Sequence, residues 1–399
     1  MKVLSLVPGL DPARGGMATG ATSILLAARR VGVESVVAAP EHGGMGTSSR
    51  ALVDLLERSG VIVRSLPALS WPRRAAYSWG ISPAQARWTA RHIADFDLVH
   101  VHGVWGMSPL LGLVAGHIAG KPVVVTAHES LTTFDIDTVS RSGSRRRQKQ
   151  LLRSLYLRYA TLFVLASDLE ARESLPLSAA QRTVRFPLVD VRGEVPALHP
   201  RGQRQCLRVG FLGRIDPKKN LGLLIDAMAA LPEEVHLTIA GDGPADLVGS
   251  LRLRADRLGV SDRLEWLGFV DSKERTRLLE GLDLLAMPSA FESFGLSAAE
   301  AMLHGVPVVV SQRTGIAELI CRHGGGRIVE ADVASIAAAI GELEVDRESL
   351  RTMGAQGQAA VMEELDYVRV GQALHTAYVD ATEVMHQARA RRRRGCLFG

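Results

Sequence analysis

Short apolar runs rich in β-branched residues alternate with longer segments of helical periodicity, and this alternation constrains the fold more than any other feature of the chain. Continuous apolar runs of this kind are typical of strands that are buried on both faces of a parallel sheet. The alternation occurs twice in succession. Candidate strands lie near residues 2–7, 35–39, 61–65, 98–102, 122–126 and 161–165, and then near 207–212, 235–240, 264–268, 283–287 and 306–310. The sequence therefore predicts an α/β protein with two doubly wound, Rossmann-like domains in tandem.

Candidate helices separate these strands, near residues 19–31, 49–59, 83–94, 145–159, 220–231, 245–258, 273–281 and 295–304. After the second series the pattern predicts only helices, near 333–343, 347–363 and 367–390. Residues 190–205 contain Pro196 and Pro200 and no helical period, which indicates an interdomain linker. We predict an N-terminal domain over 1–195 and a C-terminal domain over 206–374, with the last helix, about residues 375–399, packing back on the first domain.

Composition excludes several classes of protein. With 47% hydrophobic and 22% charged residues, the chain is neither disordered nor collagen-like. Its cysteines, Cys206, Cys321 and Cys396, are far apart and form neither a disulfide framework nor a metal-binding pair, which favours a reducing compartment. No apolar run approaches the length of about 18 residues that a membrane span needs. The sequence predicts a cytoplasmic protein, at most bound to the inner face of the membrane.

Two loops at predicted strand ends are suited to phosphate. The usual nucleotide fingerprints are missing: no G-x-G-x-x-G follows the first strand, and Ala115 replaces the first glycine of a Walker A loop. Dehydrogenases and nucleotide hydrolases are therefore disfavoured. What remains is Gly15-Gly16 before the first helix, and a loop from Gly213 to Asn220 in which Arg214 and Lys219 can converge on one diphosphate. On its own, this second loop is equally compatible with a capped, solvated turn.

Two carboxylates, Glu292 and Glu300, lie eight residues apart across the start of a predicted helix. Within a helix that spacing covers about 12 Å, close to the span between the hexose and the ribose of a sugar nucleotide. Isolated glutamates at a helix start are more often surface charges that stabilise the helix dipole. The surrounding motifs make that alternative less attractive.

These motifs resemble those of the retaining glycosyltransferases of family four, which have the GT-B fold. The resemblance rests on Pro-Ser-x-x-Glu-Ser-Phe-Gly at 288–295, Glu-Ala-Met at 300–302, Gly-Val-Pro-Val-Val at 305–309, the Gly-Arg loop at 213–219 and Ala-Gly-Asp-Gly-Pro at 240–244. It is dense over 207–330 and thinner over 1–200, where it rests on Gly15-Gly16, His-Val-His-Gly at 100–103 and the strand that ends at His128. A GT-B fold implies two Rossmann-like domains facing a central cleft.

The resemblance also implies roles for individual residues. Arg214 and Lys219 would neutralise the donor diphosphate, Glu292 would contact the sugar hydroxyls, and Glu300 would contact the ribose. His128 matches the family's active-site histidine near the donor sugar. Further donor contacts are implied at Gly15, Gly16, Gly213, Val270 beside the base, and the backbone N–H groups of Phe294, Gly295 and Leu296. Asn220 stands where glycine is common, a departure that we expect a helix start to tolerate.

The implied mechanism is front-face substitution with retention, in which the leaving diphosphate helps to take the acceptor's proton. Glu292 and Glu300 are then committed to the donor's hydroxyls, which leaves no evident nucleophile. Fixed cations stabilise the charge that builds on the β-phosphate, so that Arg214→Ala and Glu292→Ala should each lower kcat by orders of magnitude. No Asp-x-Asp motif stands out in the sequence, so a bound divalent metal is not required. We therefore expect no bound metal and no cofactor other than the nucleotide diphosphate sugar.

The acceptor is expected on the basic first half of the chain. Residues 1–200 carry a net charge of +8 and residues 201–399 a net charge of −3. Candidate acceptor residues are Trp71, Arg73, Arg74, Tyr77 and Trp79, although a loop packed by its aromatic residues explains them equally well. A second basic cluster at 145–153 lies on an amphipathic helix that suits an anionic membrane surface, against the alternative of a solvated face. No nucleic-acid-binding signature accompanies the charge.

The sequence thus predicts a retaining glycosyltransferase that moves a hexose from a UDP- or GDP-sugar to a saccharide or lipid-linked acceptor in envelope or exopolysaccharide biosynthesis. Two alternatives remain. One is a nucleotide-sugar epimerase of the same fold, and the other is a non-catalytic protein that binds sugar nucleotides. The complete set of Arg214, Lys219, Glu292 and Glu300 argues against lost turnover.

Overall fold

The computed structural model describes residues 1–11, 16–41, 47–69, 79–139, 143–174, 177, 180–188, 195–198 and 205–395. The chain divides into two compact units. The first comprises Met1–Pro187 and Tyr367–Gly399, and the second comprises Leu188–Asp366. The boundary therefore lies earlier than residue 195. The physical reason is that residues 195–198 pack on the second unit, where the Gln358 side chain donates to the carbonyl oxygen of Pro196 at 2.8 Å.

Seven strands among the described residues form the sheet of the first unit, in the order β3-β2-β1-β4-β5-β6-β7 with every pair parallel. They are β1 (Lys2–Leu6), β2 (Glu34–Glu41), β3 (Ile62–Pro67), β4 (Leu98–His102), β5 (Val123–Thr126), β6 (Leu162–Leu165) and β7 (Ala180–Thr183). The helices are α1 (Gly16–Arg30), α2 (Thr47–Arg58), α3 (Pro83–His92), α4 (Met107–Ile118), α5 (Gly143–Tyr159) and α6 (Asp168–Glu173), with a 3-10 turn at Ile93–Asp95 and a π-helical turn at Phe134–Val139. Strands β4, β5 and β6 are buried along their whole length, as continuous apolar runs between two helical layers should be.

The second unit repeats this topology with six strands among the described residues, in the order β10-β9-β8-β11-β12-β13. They are β8 (Leu207–Leu212), β9 (Val235–Ala240), β10 (Leu264–Gly268), β11 (Leu284–Met287), β12 (Val308–Ser311) and β13 (Gly326–Val329). The helices are α7 (Leu221–Ala229), α8 (Ala245–Leu258), α9 (Ser272–Gly281), α10 (Leu296–Leu303), α11 (Ala317–His323), α12 (Val333–Val345) and α13 (Arg347–Glu364), with 3-10 turns at Pro217–Lys219 and Ser261–Arg263. One apolar core, built around Val209, Leu237 and Ile239, fills the space under its helices.

The last helix, α14 (Tyr367–Gly395), belongs to the first unit. It packs against α1 so closely that a Cβ on Gly371 would lie 2.3 Å from the carbonyl oxygen of Ala27. The fully buried Tyr378 bonds through its hydroxyl to Nδ1 of His100 at 2.8 Å. The returning segment therefore begins at Tyr367, before the predicted residue 375, and it completes the core beneath β4.

The prediction that no strand follows residue 310 is wrong, because β13 pairs with β12. Strand β7 was also missed. Both are short edge strands with exposed polar residues and so lack the apolar run that marks a central strand. Helix α4 was missed because it is apolar around most of its circumference. Its Gly112 and Gly116 allow it to lie directly on β4 and β5, where a Cβ would approach Val101 and Val123 within 2.8 and 2.5 Å.

In each unit the strand order reverses direction beside the first strand. In the first unit, β2 and β3 lie on one side of β1, and the chain then crosses to β4 on the other side. In the second unit, β9 and β10 lie on one side of β8, and the chain then crosses to β11 on the other side. In open α/β sheets, ligands bind beyond the carboxyl ends of the strands at such a switch point. The loops that follow β8 and β11, and those that follow β1, β4 and β5, are thereby the candidate functional loops.

Within the described part of the chain, none of the helices combines the length and apolar character that crossing a bilayer demands.

Candidate functional site

The loop after β8 contains the Gly-Arg motif and ends in an unusual backbone conformation. Its 3-10 turn is capped by Asp216, whose carboxylate accepts the backbone N–H of Lys218 at 3.0 Å. Asn220 then adopts a left-handed conformation with φ 52°. Asparagine tolerates this region better than most residues, and its side chain also donates to the carbonyl oxygen of Pro288 at 3.0 Å. Asn220 therefore ties the β8 loop to the β11 loop, which a glycine at this position cannot do.

Glu292 lies in the β11 loop and contacts the lysines of the β8 loop. Its Oε1 lies 2.7 Å from Nζ of Lys219 and 3.9 Å from Nζ of Lys218. Its own backbone is fixed by hydrogen bonds with Arg313 and Gly315 on the loop after β12. Burial works to raise the pKa of Glu292, but the charges of Lys219 and Lys218, with hydrogen bonds from Lys219 and Ser289, outweigh it and lower the pKa. The carboxylate is therefore ionised at neutral pH.

Helix α10 begins shortly after Glu292. No side chain caps the backbone N–H groups at its start. Its N-cap, Gly295, has φ 104°, and a Cβ there would lie 2.8 Å from Cγ2 of Thr314, so that only glycine fits. Phe294 is buried before it, and Leu296 is the first helical residue. The first N–H groups of a helix have no intrahelical acceptor, and the helix dipole favours negative charge at this end. The turn can bind sugar hydroxyls or a phosphate oxygen.

Glu300 lies one turn into α10 and pairs with Arg275 of α9, whose guanidinium is 3.3 Å from Oε2. Burial raises the pKa of Glu300, and the charge of Arg275 opposes that rise. Sequence reasoning identified Glu300 but missed Arg275, because the two residues are brought together only by the packing of α9 beside α10.

The other predicted donor-binding residues of the second unit lie on loops around the same switch point. A Cβ on Gly241 would lie 1.9 Å from the carbonyl oxygen of Gly213, so the β8 and β9 loops are in backbone contact. The side chain of Arg214 is 65% exposed and lies 3.6 Å from Asp216, which leaves its guanidinium accessible to an anion. Val270 is half-buried just after the end of β10. The second unit thus gathers Arg214, Lys219 and Glu292 at adjoining loops, with Glu300 on the helix that follows.

In the first unit, the β5 loop presents His128 in a strained turn. His128 and Glu129 both have positive φ, at 49° and 74°. The His128 ring stacks on Phe186 with centroids 5.4 Å apart, and its Nε2 lies 3.5 Å from Nδ1 of His102. Burial lowers the pKa of His128 to about 4. The imidazole is therefore neutral at physiological pH and can both donate and accept a hydrogen bond.

Two buried histidines of β4 extend this cluster. His100 is held between the hydroxyls of Tyr378 and Thr126, at 2.8 Å from each. Burial, together with the nearby His128, lowers the pKa of His100 to about 3, and the pKa of His102 is likewise well below its usual value. These neutral rings pack beneath His128 as a buried support.

A buried carboxyl, Glu170 of α6, holds the other side of the turn. One of its oxygens accepts the backbone N–H of Glu129 and the other that of Ala166, each at 2.6 Å. Burial raises the pKa of Glu170 to about 7, against the effect of these two hydrogen bonds. The sequence did not single out Glu170, since a lone glutamate in a short helix carries no distinguishing pattern.

Several predicted residues cannot be placed. Gly15, Trp71, Arg73, Arg74 and Tyr77 lie outside the described residues, so their roles stay predictions. Of the others, Gly16 is the exposed first residue of α1, and Trp79 is half-buried.

The expectation that the chain has no Asp-x-Asp motif is wrong, because two such triplets occur, at residues 95–97 and 135–137, both in the first unit. Asp97 accepts the backbone N–H of Lys2, and Asp135 accepts Nε1 of Trp105 and pairs with Lys149 at 2.7 Å. Within the described ranges, no three His, Cys, Asp or Glu side chains are grouped as metal ligands would be.

Two family models match the chain. Residues 14–184 match the model described as Glycosyltransferase Family 4, and residues 205–360 match the one described as Glycosyl transferases group 1. The GDP-mannose-dependent α-(1-6)-phosphatidylinositol dimannoside mannosyltransferase of Mycobacterium tuberculosis is 27% identical over 349 residues, covering 82% of this chain and 83% of that protein. The D-inositol 3-phosphate glycosyltransferase of Mycolicibacterium smegmatis is 28% identical over 405 residues, covering 94% and 89%.

Solved structures show the same fold. The Anabaena protein HepE, crystallised with UDP and glucose, superposes with a TM-score of 0.74 at 23% identity, covering 94% of this chain and 98% of that one. The chain is therefore similar in architecture to the GT-B enzymes.

Proposed function

The chain belongs to the family-four glycosyltransferases, and from that premise we propose that it transfers a hexose from a nucleotide diphosphate sugar to a saccharide or lipid-linked acceptor with retention of configuration. The M. tuberculosis relative carries GDP-mannose and a phosphatidylinositol glycolipid in its name. That name supports a nucleotide-sugar donor and a lipid-linked acceptor. We propose further that the nucleotide is GDP or UDP and that the product is an envelope glycolipid or exopolysaccharide.

The observation that carries the proposal is the contact of Lys219 with Glu292 at 2.7 Å across the switch point of the second unit. It joins the cation assigned to the diphosphate with the carboxylate assigned to the sugar. The lysine ammonium has three donors, so it can keep Glu292 while donating to a phosphate oxygen. The ionised Glu292 can then accept hydrogen bonds from sugar hydroxyls. The pair therefore fits a ligand in which a sugar is joined directly to a phosphate.

Chemistry at this site would rest on fixed positive charge. As the bond from the anomeric carbon to the β-phosphate oxygen breaks, negative charge grows on the diphosphate. Lys219, the accessible Arg214 and the uncapped start of α10 would stabilise that charge more in the transition state than in the ground state. The β-phosphate oxygen would accept the proton of the acceptor hydroxyl, which attacks the same face that the diphosphate leaves. Glu300, oriented by Arg275, would accept hydrogen bonds from the ribose hydroxyls.

We also propose that transfer needs no resident metal or cofactor. The cations already named supply the charge that a divalent ion supplies in other transferases. Purified enzyme assayed with excess EDTA should keep its rate. A loss of rate that Mg²⁺ or Mn²⁺ restores would overturn this part of the proposal.

A thermal-shift panel with UDP, GDP, ADP and their sugars tests the donor assignment. A ligand at 100 times its Kd adds about 2.7 kcal/mol of stability, enough to rank the bases. The best donor is then incubated with acceptor extracts, and the anomeric configuration of the product is read by NMR. Retained configuration supports the proposal. An inverted product would refute front-face transfer, and an isomerised free sugar nucleotide would identify an epimerase instead.

We propose that the protein contacts an anionic membrane surface through α5, beside which α4 lies. Arg146 and Arg147 are exposed on α5, and Leu151 on the same helix is 67% exposed. The two helices are adjacent, with the rings of His117 and Tyr159 4.4 Å apart. Exposed leucine beside exposed arginines is the pattern of a helix that rests on anionic lipid, where each cation contributes about 1 kcal/mol.

Co-sedimentation with anionic vesicles at low salt tests this contact. Replacing Arg146 and Arg147 by serine should reduce the bound fraction severalfold. The matched control replaces Arg257 and Arg277, two exposed arginines of the second unit, and should leave binding unchanged. Equal effects of both pairs would show that net charge alone drives the association.

A further inference from the structure

We propose that Glu170 is a positioning residue for His128: its carboxylate fixes the turn that aims the imidazole. The inference rests on the proposed function only for its kinetic consequence. The geometric part concerns the first unit alone and is tested without donor or acceptor.

The turn at His128 is one that ordinary residues avoid. Both His128 and Glu129 have positive φ, a region in which a Cβ crowds the backbone, and among the described residues other than glycine only Asn220 shares it. Conformations of this kind persist where the surrounding structure over-determines them, and they concentrate at functional sites. Something next to the turn must therefore hold it.

Glu170 supplies that restraint from a different element. Its two oxygens bridge the N–H of Glu129, the residue directly after His128, and the N–H of Ala166 at the end of β6, each at 2.6 Å. The side chain is fully buried, and the backbone N–H of Glu170 is fixed by the hydroxyl of Ser167 at 3.0 Å. The carboxylate is thus a rigid clamp between the β5 loop and the β6 strand.

The opposite side of the turn is closed by Thr132, whose hydroxyl donates to the carbonyl oxygen of Glu129 at 2.8 Å. With both backbone groups of Glu129 engaged, the two peptide units that flank its Cα are held, which fixes the backbone from which the His128 side chain projects. The His128 ring lies flat against Phe186, 10° from parallel, with Nε2 toward His102. Loss of the clamp should free the ring from this position.

Glu170→Gln is the direct test, because the amide keeps the shape but replaces one accepting oxygen by an NH₂ group that faces a backbone N–H. The imidazole ¹⁵N and ¹H resonances of His128 should shift and broaden. If His128 contacts the donor sugar as the resemblance implies, kcat in the transfer assay should fall about tenfold to a hundredfold, as expected when a positioning group is displaced by about 1 Å. The control Glu57→Gln, an exposed glutamate of α2, should leave both readouts at wild-type values.

Rescue separates positioning from a general structural role. Glycine adopts positive φ at no steric cost, so Glu129→Gly in the Glu170→Gln background should restore the His128 resonances and most of kcat. Unshifted resonances in Glu170→Gln would overturn the proposal, as would a shift that Glu129→Gly does not reverse. If Glu170→Gln alone does not fold, a double variant that folds with wild-type resonances supports the clamp, and one that also fails refutes it. An enzyme that transfers no sugar would refute the proposed function and leave the resonance test standing.

Discussion

Replacing Lys219 by methionine should cost the second unit stability in a manner that depends on pH. At 2.7 Å, two unit charges attract by about 6 kcal/mol at an effective dielectric constant of about 20. Both side chains are mostly buried, at 16% and 12% exposed, so desolvation cancels much of this attraction. Removing one partner of such a pair costs about 3–5 kcal/mol because the other charge stays buried. Lys218, at 3.9 Å, compensates in part, and we expect a loss of about 3 kcal/mol at pH 7.

The sign of the pH dependence follows from the pKa of Glu292. In the wild type this pKa is lowered, so the carboxyl adds stability above its unfolded pKa of about 4.3 and loses it as pH falls through the folded value. In Lys219→Met, burial dominates and raises the pKa of Glu292 in the folded protein above its pKa in the unfolded chain. Ionisation of Glu292 then destabilises the folded protein, so stability falls as the pH rises above the unfolded pKa. The difference between the two proteins should be largest near pH 7 and shrink toward pH 4.

Urea denaturation followed by ¹⁹F NMR of 5-fluorotryptophan measures this difference in the second unit. Trp266 is the only tryptophan among residues 188–366, so its resonance reports on that unit. The control Lys273→Met removes an exposed charge at the start of α9 and should change stability by less than about 0.5 kcal/mol. A loss that is equal at pH 7 and pH 4.5, or one no larger than the control, would refute the buried-pair argument.

Other positions give further expected outcomes. Arg214→Ala and Glu292→Ala should each lower kcat by about 100-fold or more with unchanged circular dichroism, and full turnover by either variant would contradict the site. Asn220→Gly should cost only the side-chain hydrogen bond, about 1 kcal/mol, whereas Asn220→Val adds the penalty of a left-handed β-branched residue and should cost about 2–3 kcal/mol in urea titrations. Gly241→Ala should destabilise by about 3 kcal/mol and abolish the donor-induced thermal shift, because its Cβ would overlap a backbone carbonyl of the β8 loop; a normal shift would show that the loops can separate.

Much of the fold can be predicted from the sequence, because central parallel strands need uninterrupted apolar runs. The central strands β5 and β6, buried along their whole length, begin within one residue of the predicted bounds for this reason. Edge strands and helices packed through glycine do not follow the rule. Strand β7 has the sequence Ala-Gln-Arg-Thr, and α4 lacks a polar face, so neither carries the periodic signal that the prediction relied on.

The sequence identified those candidate site residues that belong to a local motif. Arg214, Lys219 and Glu292 stand in recognisable spacings. The structure adds the contact between Lys219 and Glu292, and the roles of all three residues stay predictions. The partners Arg275 and Glu170 were not predictable, because each acts on a residue far away in sequence through packing between separate elements. Their assignment required the positions of α9 and α6, which no local spacing encodes.

The return of α14 to the first unit has a consequence for synthesis on the ribosome. The first unit lacks its last helix, and with it the Tyr378 partner of His100, until the whole second unit has been translated. At about 5–20 residues per second, that delay is roughly 10–40 s. During this interval the groove along α1 that α14 later covers is open, and the second unit is free to finish first. Synthesis of the second unit is therefore completed before synthesis of the first, and the face of α1 that α14 covers stays accessible to a chaperone during this interval.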